Sequence, residues 1–177
     1  MSRSQSEFSL HNPLICEENM AKFKDFLNQI KYDGPIVAST DSTKLTSKLR
    51  YHPKLECILG SILPLSETKV SSFENIDDIV NKVKITNSIA KNVRVYILQV
   101  PLPKVPPFIL GIIPNNYEKS DEIVELHHSV LNLAAKFNIH ILSIGADGAA
   151  PEFKAQKCIM QTSTSSRLEF SDELYGN

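Results

Sequence analysis

"PIVASTDSTKLTSKLRY", residues 35–51, opens with a short apolar run, Pro35 to Ala38, and meets its first acid at Asp41. No further acid follows until Glu56, while Lys44, Lys48, Arg50 and Lys54 are spread along the interval. A brief run containing β-branched residues reads as a strand, so Asp41 is expected where that strand ends. A later stretch, "NIHILSIGADGAAPEF", residues 138–153, repeats the arrangement, its apolar run stopping just before Asp147. In open α/β sheets, ligand and metal sites gather at the carboxyl ends of strands. If the two runs are parallel neighbours, the two carboxylates converge. Mg²⁺ takes hard oxygen ligands, few of them from protein, and fills the rest of its shell with water and substrate phosphate. Two such ions activate a water and stabilise a leaving oxygen in phosphodiester cleavage. The competing reading is turn chemistry, because Asp favours strand ends and "ADG" suits a turn. Spacing alone leaves both open.

The basic interval is read in the same two ways. In "KLTSKLRYH", Lys44, Lys48, Arg50 and His52 fall on even positions, whereas Leu45, Leu49 and Tyr51 fall on odd ones. Extended, this segment has one basic and one apolar face. A basic stripe beside a metal site suits a phosphate backbone; a solvated edge strand whose lysines block aggregation is the alternative.

Working outward, three segments carry helical periodicity. In "CEENMAKFKDFLNQI", Met20, Phe23, Leu27 and Ile30 share a face, with acids at 17 and 18 near the helix start. In "SSFENIDDIVNKVK" the stripe is Ile76, Ile79, Val80 and Val83, and Ser71 with Glu74 fits a capping box. In "SDEIVELHHSVLNLAAKF" it is Ile123, Leu126, Val130, Leu133, Ala134 and Phe137, with Ser120 as the expected cap. The remaining strand candidates are "LECILGSIL", "VRVYILQV" and "PPFILGII"; the last two are joined by a proline-bearing loop wider than a two-residue turn. His140 is expected in the strand before Asp147, and a final short helix starts at Pro151. Strands alternating with helices in this order indicate a mixed sheet covered by helices.

The 177 residues suffice for one domain with a real core, at 42% hydrophobic and 22% charged. A formal charge of −1 argues against a strong free-standing nucleic-acid binder but leaves room for a local basic patch. Cys16, Cys57 and Cys158 are isolated, without a CxxC or zinc spacing, as expected of thiols in a reducing compartment. No apolar run approaches the ~20 residues of a membrane span. "MSRSQSEFSLHN" lacks the apolar centre of a signal peptide. The expectation is an intracellular chain, nuclear or cytoplasmic, with no membrane partner. His127 and His128 are adjacent, so they cannot form an i, i+4 metal pair on a helix. "GADGAA" is not a dinucleotide-binding GxGxxG, and no GxSxG, HExxH or Walker pattern occurs.

Three segments in order, "ASTDSTKLTSKLRYHPKLECILGSILP", "IAKNVRVYILQVPLPKVPPFILGIIP" and "NIHILSIGADGAAPEF", resemble the catalytic domain of P-element-type transposases. The resemblance runs from about residue 12 to 160 and implies a ribonuclease H-like α/β fold. It also implies that Asp41 and Asp147 are the first and second catalytic, metal-binding acids. "CEENMAKFKDFLNQI" then looks like the helix just before that domain. The resemblance implies Mg²⁺ as cofactor and DNA as partner, with Lys44, Lys48, Arg50 and Lys54 as candidate nucleic-acid-binding residues. Several features depart from the family. It uses a third acid on a later helix, whereas the glutamates left here are Glu152, too close to Asp147, and Glu169 and Glu173 in a polar tail. Ser42 stands where the family often has a second acid, and the expectation is a chain without the family's upstream zinc-dependent DNA-binding segment. The expected organisation is therefore a polar tail over 1–11, an incomplete ribonuclease H-like α/β domain over 12–161, and a polar tail over 162–177. The expected function is that of a transposase-derived fragment inactive alone in DNA cleavage, with residual Mg²⁺ or DNA binding. The alternatives are a metal-dependent nuclease completed by a tail Glu or another chain, and a non-catalytic interaction module.

Overall fold

The chain enters its core through helix α1, Glu17–Gln29, which buries Met20, Phe23, Phe26 and Leu27 along one face. The computed structural model describes residues 12–161; the two expected tails, with Glu169 and Glu173, lie outside the described residues. Strand β1, Ile36–Lys44, follows and runs three residues past Asp41, so the expected end of the strand at that acid is corrected. Its extension is explained by pairing: Asp41, Ser42, Thr43 and Lys44 stand opposite Val95, Arg94, Val93 and Asn92 of β4, Asn92–Gln99. β4 in turn forms an antiparallel hairpin with β5, Phe108–Asn115, across the expected wide loop. Helix α4, Ser120–Lys136, then leads to β6, Ile141–Gly145, and helix α5, Ala150–Gln161. The four strands make one mixed sheet in the order β5-β4-β1-β6, with β1 antiparallel to β4 and parallel to β6.

Alternation along the strands defines the core face. Ile36, Ala38 and Thr40 of β1 and Arg94, Tyr96 and Leu98 of β4 are buried, while the residues between them are not. Against this face pack α1 and the Val130 and Ala134 positions of α4, in one apolar cluster that also contains Leu110 and Phe108. α4 is laid down somewhat differently from its expected stripe. Its fully covered residues are Ile123, His127, Val130 and Ala134, whereas Leu126, Leu133 and Phe137 are only partly buried. Lys119, not Ser120, occupies the cap position, and its amide donates to the Glu122 carboxylate at 3.3 Å.

Two further expectations are corrected. "LECILGSIL" does not enter the main sheet: only Cys57–Leu59 is extended, as β3, and it pairs with β2, Arg50–His52, in a separate hairpin. This hairpin is covered by the short helix α2, Leu65–Thr68, and by α3, Asn75–Ile85, through a small cluster of Ile58, Ile79 and Val83. The reason lies at Gly60, whose φ of +94° turns the chain sharply. The Ser71–Glu74 capping box does not form either; Glu74 is itself the cap residue in helical geometry, and Ser71 Oγ instead accepts from the side-chain Nδ2 of Asn75. His140 lies just before β6, exposed, with its carbonyl accepting from the Ile36 amide. α5 begins at Ala150, one residue ahead of Pro151. No helix among the described residues is long and apolar enough to cross a membrane.

Candidate functional site

β1 and β6 run in the same direction and are directly bonded, with Val37 opposite Ser143 and Ser39 opposite Gly145. Counted on by two residues from the last bonded pair, the offset runs from Asp41 to Asp147, but β6 ends at Gly145, so Asp41 lies within β1 and Asp147 in the turn after β6; both are exposed. Asp41 shares the alternation of Val37 and Ser39, so it faces away from the buried Ile36, Ala38 and Thr40. Its Oδ2 accepts from the Thr43 hydroxyl at 3.2 Å. Asp147 follows β6 in a turn in which its Oδ1 accepts from the Ala149 amide at 3.0 Å, and Gly148 takes a φ of +77°. Asp41 Oδ1 and Asp147 Oδ2 have no protein donor among the described residues.

The candidate nucleic-acid residues occupy a different stretch of surface. Lys44 ends β1, Lys48 lies in the link to β2, Arg50 begins β2 and Lys54 sits in the hairpin turn. All four are exposed and form no salt bridge among the described residues. The segment is extended only in parts, so the continuous two-faced stripe is replaced by separate cationic groups. Tyr51, 42% exposed, lies between Arg50 and His52.

Sequence reading missed a buried polar cluster behind Asp41, on the core face of the sheet. Arg94 on β4 forks onto Glu118, with Nε to Oε1 at 2.7 Å and Nη2 to Oε2 at 2.8 Å. Its Nη1 reaches Thr40 Oγ1 at 3.0 Å and Glu152 Oε2 at 2.7 Å. Glu152, in the first turn of α5 and 1% exposed, bonds through Oε1 to His127 Nε2 at 2.8 Å. His127 Nδ1 meets the Tyr96 hydroxyl at 3.0 Å. An ionised Glu152 only accepts, so Nε2 carries the ring proton of a neutral His127 and the Tyr96 hydroxyl donates to Nδ1. Burial pulls the His127 pKa down, against the upward influence of the Glu152 hydrogen bond and charge. Burial, the largest influence on Arg94, also lowers its pKa, but the Glu118 and Glu152 carboxylates outweigh it and hold the guanidinium above its usual range. Tyr96 is raised, chiefly by burial. One signal was legible: His127 falls on the Ile123–Val130–Ala134 face of α4, a buried position for a polar ring.

Glu152 is thereby committed to Arg94 and His127, and among the described residues no three His, Cys, Asp or Glu side chains are grouped to hold a metal. The Asp41–Asp147 pair offers two oxygen donors, the hard chemistry Mg²⁺ or Mn²⁺ accepts when water and phosphate complete the shell. Compared with known proteins, the chain matches no family model, no curated protein and no solved structure.

Proposed function

We propose that this chain is a transposase-derived, ribonuclease H-like core. In this reading it binds a divalent ion weakly between Asp41 and Asp147, contacts DNA phosphates through Lys44, Lys48, Arg50 and Lys54, and cuts no DNA strand by itself. The observation that carries the reading is the parallel pairing of β1 with β6, with Asp41 on β1 and Asp147 two residues past the end of β6. The strand order β5-β4-β1-β6 supports the ribonuclease H-like part. The resemblance calls for an acid on a first strand, two strands across a loop, a helix, and a strand ending in Asp-Gly; this chain has β1 with Asp41, the β4–β5 hairpin, α4 and β6 in that order, with Asp147-Gly148 following just past the end of β6.

Inactivity in cleavage follows from ligand count. Two-metal phosphodiester hydrolysis needs carboxylates enough to hold an ion at both the attacking and the leaving oxygen. Among the described residues, the two exposed acids of this reading suit a single, loosely held ion, which would neutralise charge on a bound phosphate. Glu152 cannot join them without abandoning Arg94 and His127. The test is calorimetric titration of Mg²⁺ and Mn²⁺ into the chain, with incubation of labelled linear and supercoiled DNA beside Asp41→Ala and Asp147→Ala controls. Weak binding that either substitution removes, with intact DNA throughout, is expected. Strand cleavage abolished in both controls would instead make the protein a nuclease, and binding indifferent to both would remove the metal site.

A further inference from the structure

The ladder between β1 and β6 ends at Ser39 and Gly145, so Asp147 lies beyond the hydrogen bonds that align the strands. The next residue, Gly148, has a φ of +77° and no atom within 4 Å of where a Cβ would be, which leaves the turn little packing of its own. Something else must hold that turn in place relative to Asp41. One guanidinium nitrogen makes the connection. Arg94 Nη1 bonds at once to Thr40, the residue before Asp41, and to Glu152, in the helix that begins three residues after Asp147. From this we infer that Arg94 and Glu152 are positioning residues that set the separation of Asp41 and Asp147. This inference rests on the reading of those acids as a metal-binding pair.

The rest of the cluster serves the same geometry. The bidentate Glu118 bonds fix the plane of the guanidinium, and the Tyr96–His127 pair fixes the second oxygen of Glu152. A buried ion pair is often no more stabilising than apolar side chains of the same size. What the charged cluster supplies beyond apolar packing is direction, because its bonds tolerate little movement of α5 along β1. Hydrogen-bonded groups behind metal ligands act in this way, and losing one commonly weakens metal affinity about 10- to 100-fold.

Nitroxide labels at Lys44→Cys and Lys154→Cys, with Cys16→Ser and Cys158→Ser to remove the accessible thiols, report the β1-to-α5 distance by pulsed electron spin resonance. Mn²⁺ affinity is measured on the unlabelled chain by calorimetry. The parent should give one narrow distance peak. Arg94→Lys and Glu152→Gln should broaden it and weaken Mn²⁺ binding about 10- to 100-fold. Thr40→Val should broaden the peak and Thr40→Ser, which keeps the acceptor, should restore it. The threonine pair carries the test if the Arg94 variant does not fold. Folded variants that keep the parent's narrow peak would overturn the inference. A narrow parent peak that broadens in the variants, in a chain that binds no Mn²⁺, would leave the positioning role standing and discard the metal reading instead.

Discussion

Taking away Arg94 strands Glu152 where water cannot reach it, so Arg94→Leu should destabilise the protein by about 3–5 kcal/mol, read from urea unfolding. Glu152→Leu leaves Arg94 paired with Glu118 and should cost less. Adding Glu152→Leu to Arg94→Leu should recover part of the loss, since the fully buried stranded carboxylate goes too. His127 gives a pH dependence whose sign follows from its lowered pKa. The unfolded chain takes up a proton near the ordinary value of 6.5 and the folded chain only at lower pH. The unfolded state thus binds more protons between the two values, and stability rises with pH there. The His127 contribution should be complete above about pH 6.5–7 and fall away as the pH drops below it, by at most ~1.4 kcal/mol per unit. The groups facing the ring are Tyr96, Glu152, Arg94 and the neighbouring His128. His127→Gln should flatten the urea midpoint between pH 5 and 7 (roughly the imidazole range); an unchanged slope would assign it to other groups. At this scale the apolar runs ahead of Asp41 and Asp147 were legible as strands. The meeting of Arg94, Glu118 and Glu152 was not legible, because they lie on different elements and converge only when the sheet forms.

Elements were legible wherever one periodicity dominated. The faces of α1 and α3 and the β4–β5 hairpin follow from residue order and alternation, whereas the parallel pairing of β1 with β6 entered only as the condition for the two acids to converge. Extent was harder to read, because β1 continues past Asp41 only where β4 offers a partner edge. The β2–β3 hairpin was misread as sheet because its apolar content resembles that of the core strands. Three substitutions probe the two packing units, two in the main core and one in the hairpin unit. Leu110→Ala, at a fully buried position of the main core, should cost about 2–5 kcal/mol. Phe137→Ala should cost less than the ~3–5 kcal/mol of a fully buried phenylalanine, since its ring is only partly covered. At Gly60 a Cβ would lie 2.0 Å from the Lys48 carbonyl oxygen, at a φ that side chains rarely adopt. Gly60→Ala should loosen the hairpin unit, seen as faster amide exchange over residues 48–60, with the β1 and β4 amides still protected.

Over the whole molecule, a net charge of −1 coexists with an exposed cationic run from Lys44 to Lys54. If that run contacts DNA phosphates, binding to duplex DNA should weaken steeply with salt, and each of Lys44→Ala, Lys48→Ala, Arg50→Ala and Lys54→Ala should lower the log–log salt slope by about 1. Fluorescence anisotropy across a salt series checks this; slopes that do not change would place DNA elsewhere or nowhere. The central claim, however, is the proposal that Asp41 and Asp147 hold one ion between them. It is tested most directly by titrating Mn²⁺ into isotopically labelled protein and following paramagnetic broadening of the amide resonances. The account predicts that residues around Asp41 and around Asp147 broaden together with one affinity, and that Asp41→Asn or Asp147→Asn abolishes the effect at both. Broadening at only one acid, at neither, or at both with separate affinities would contradict a shared site.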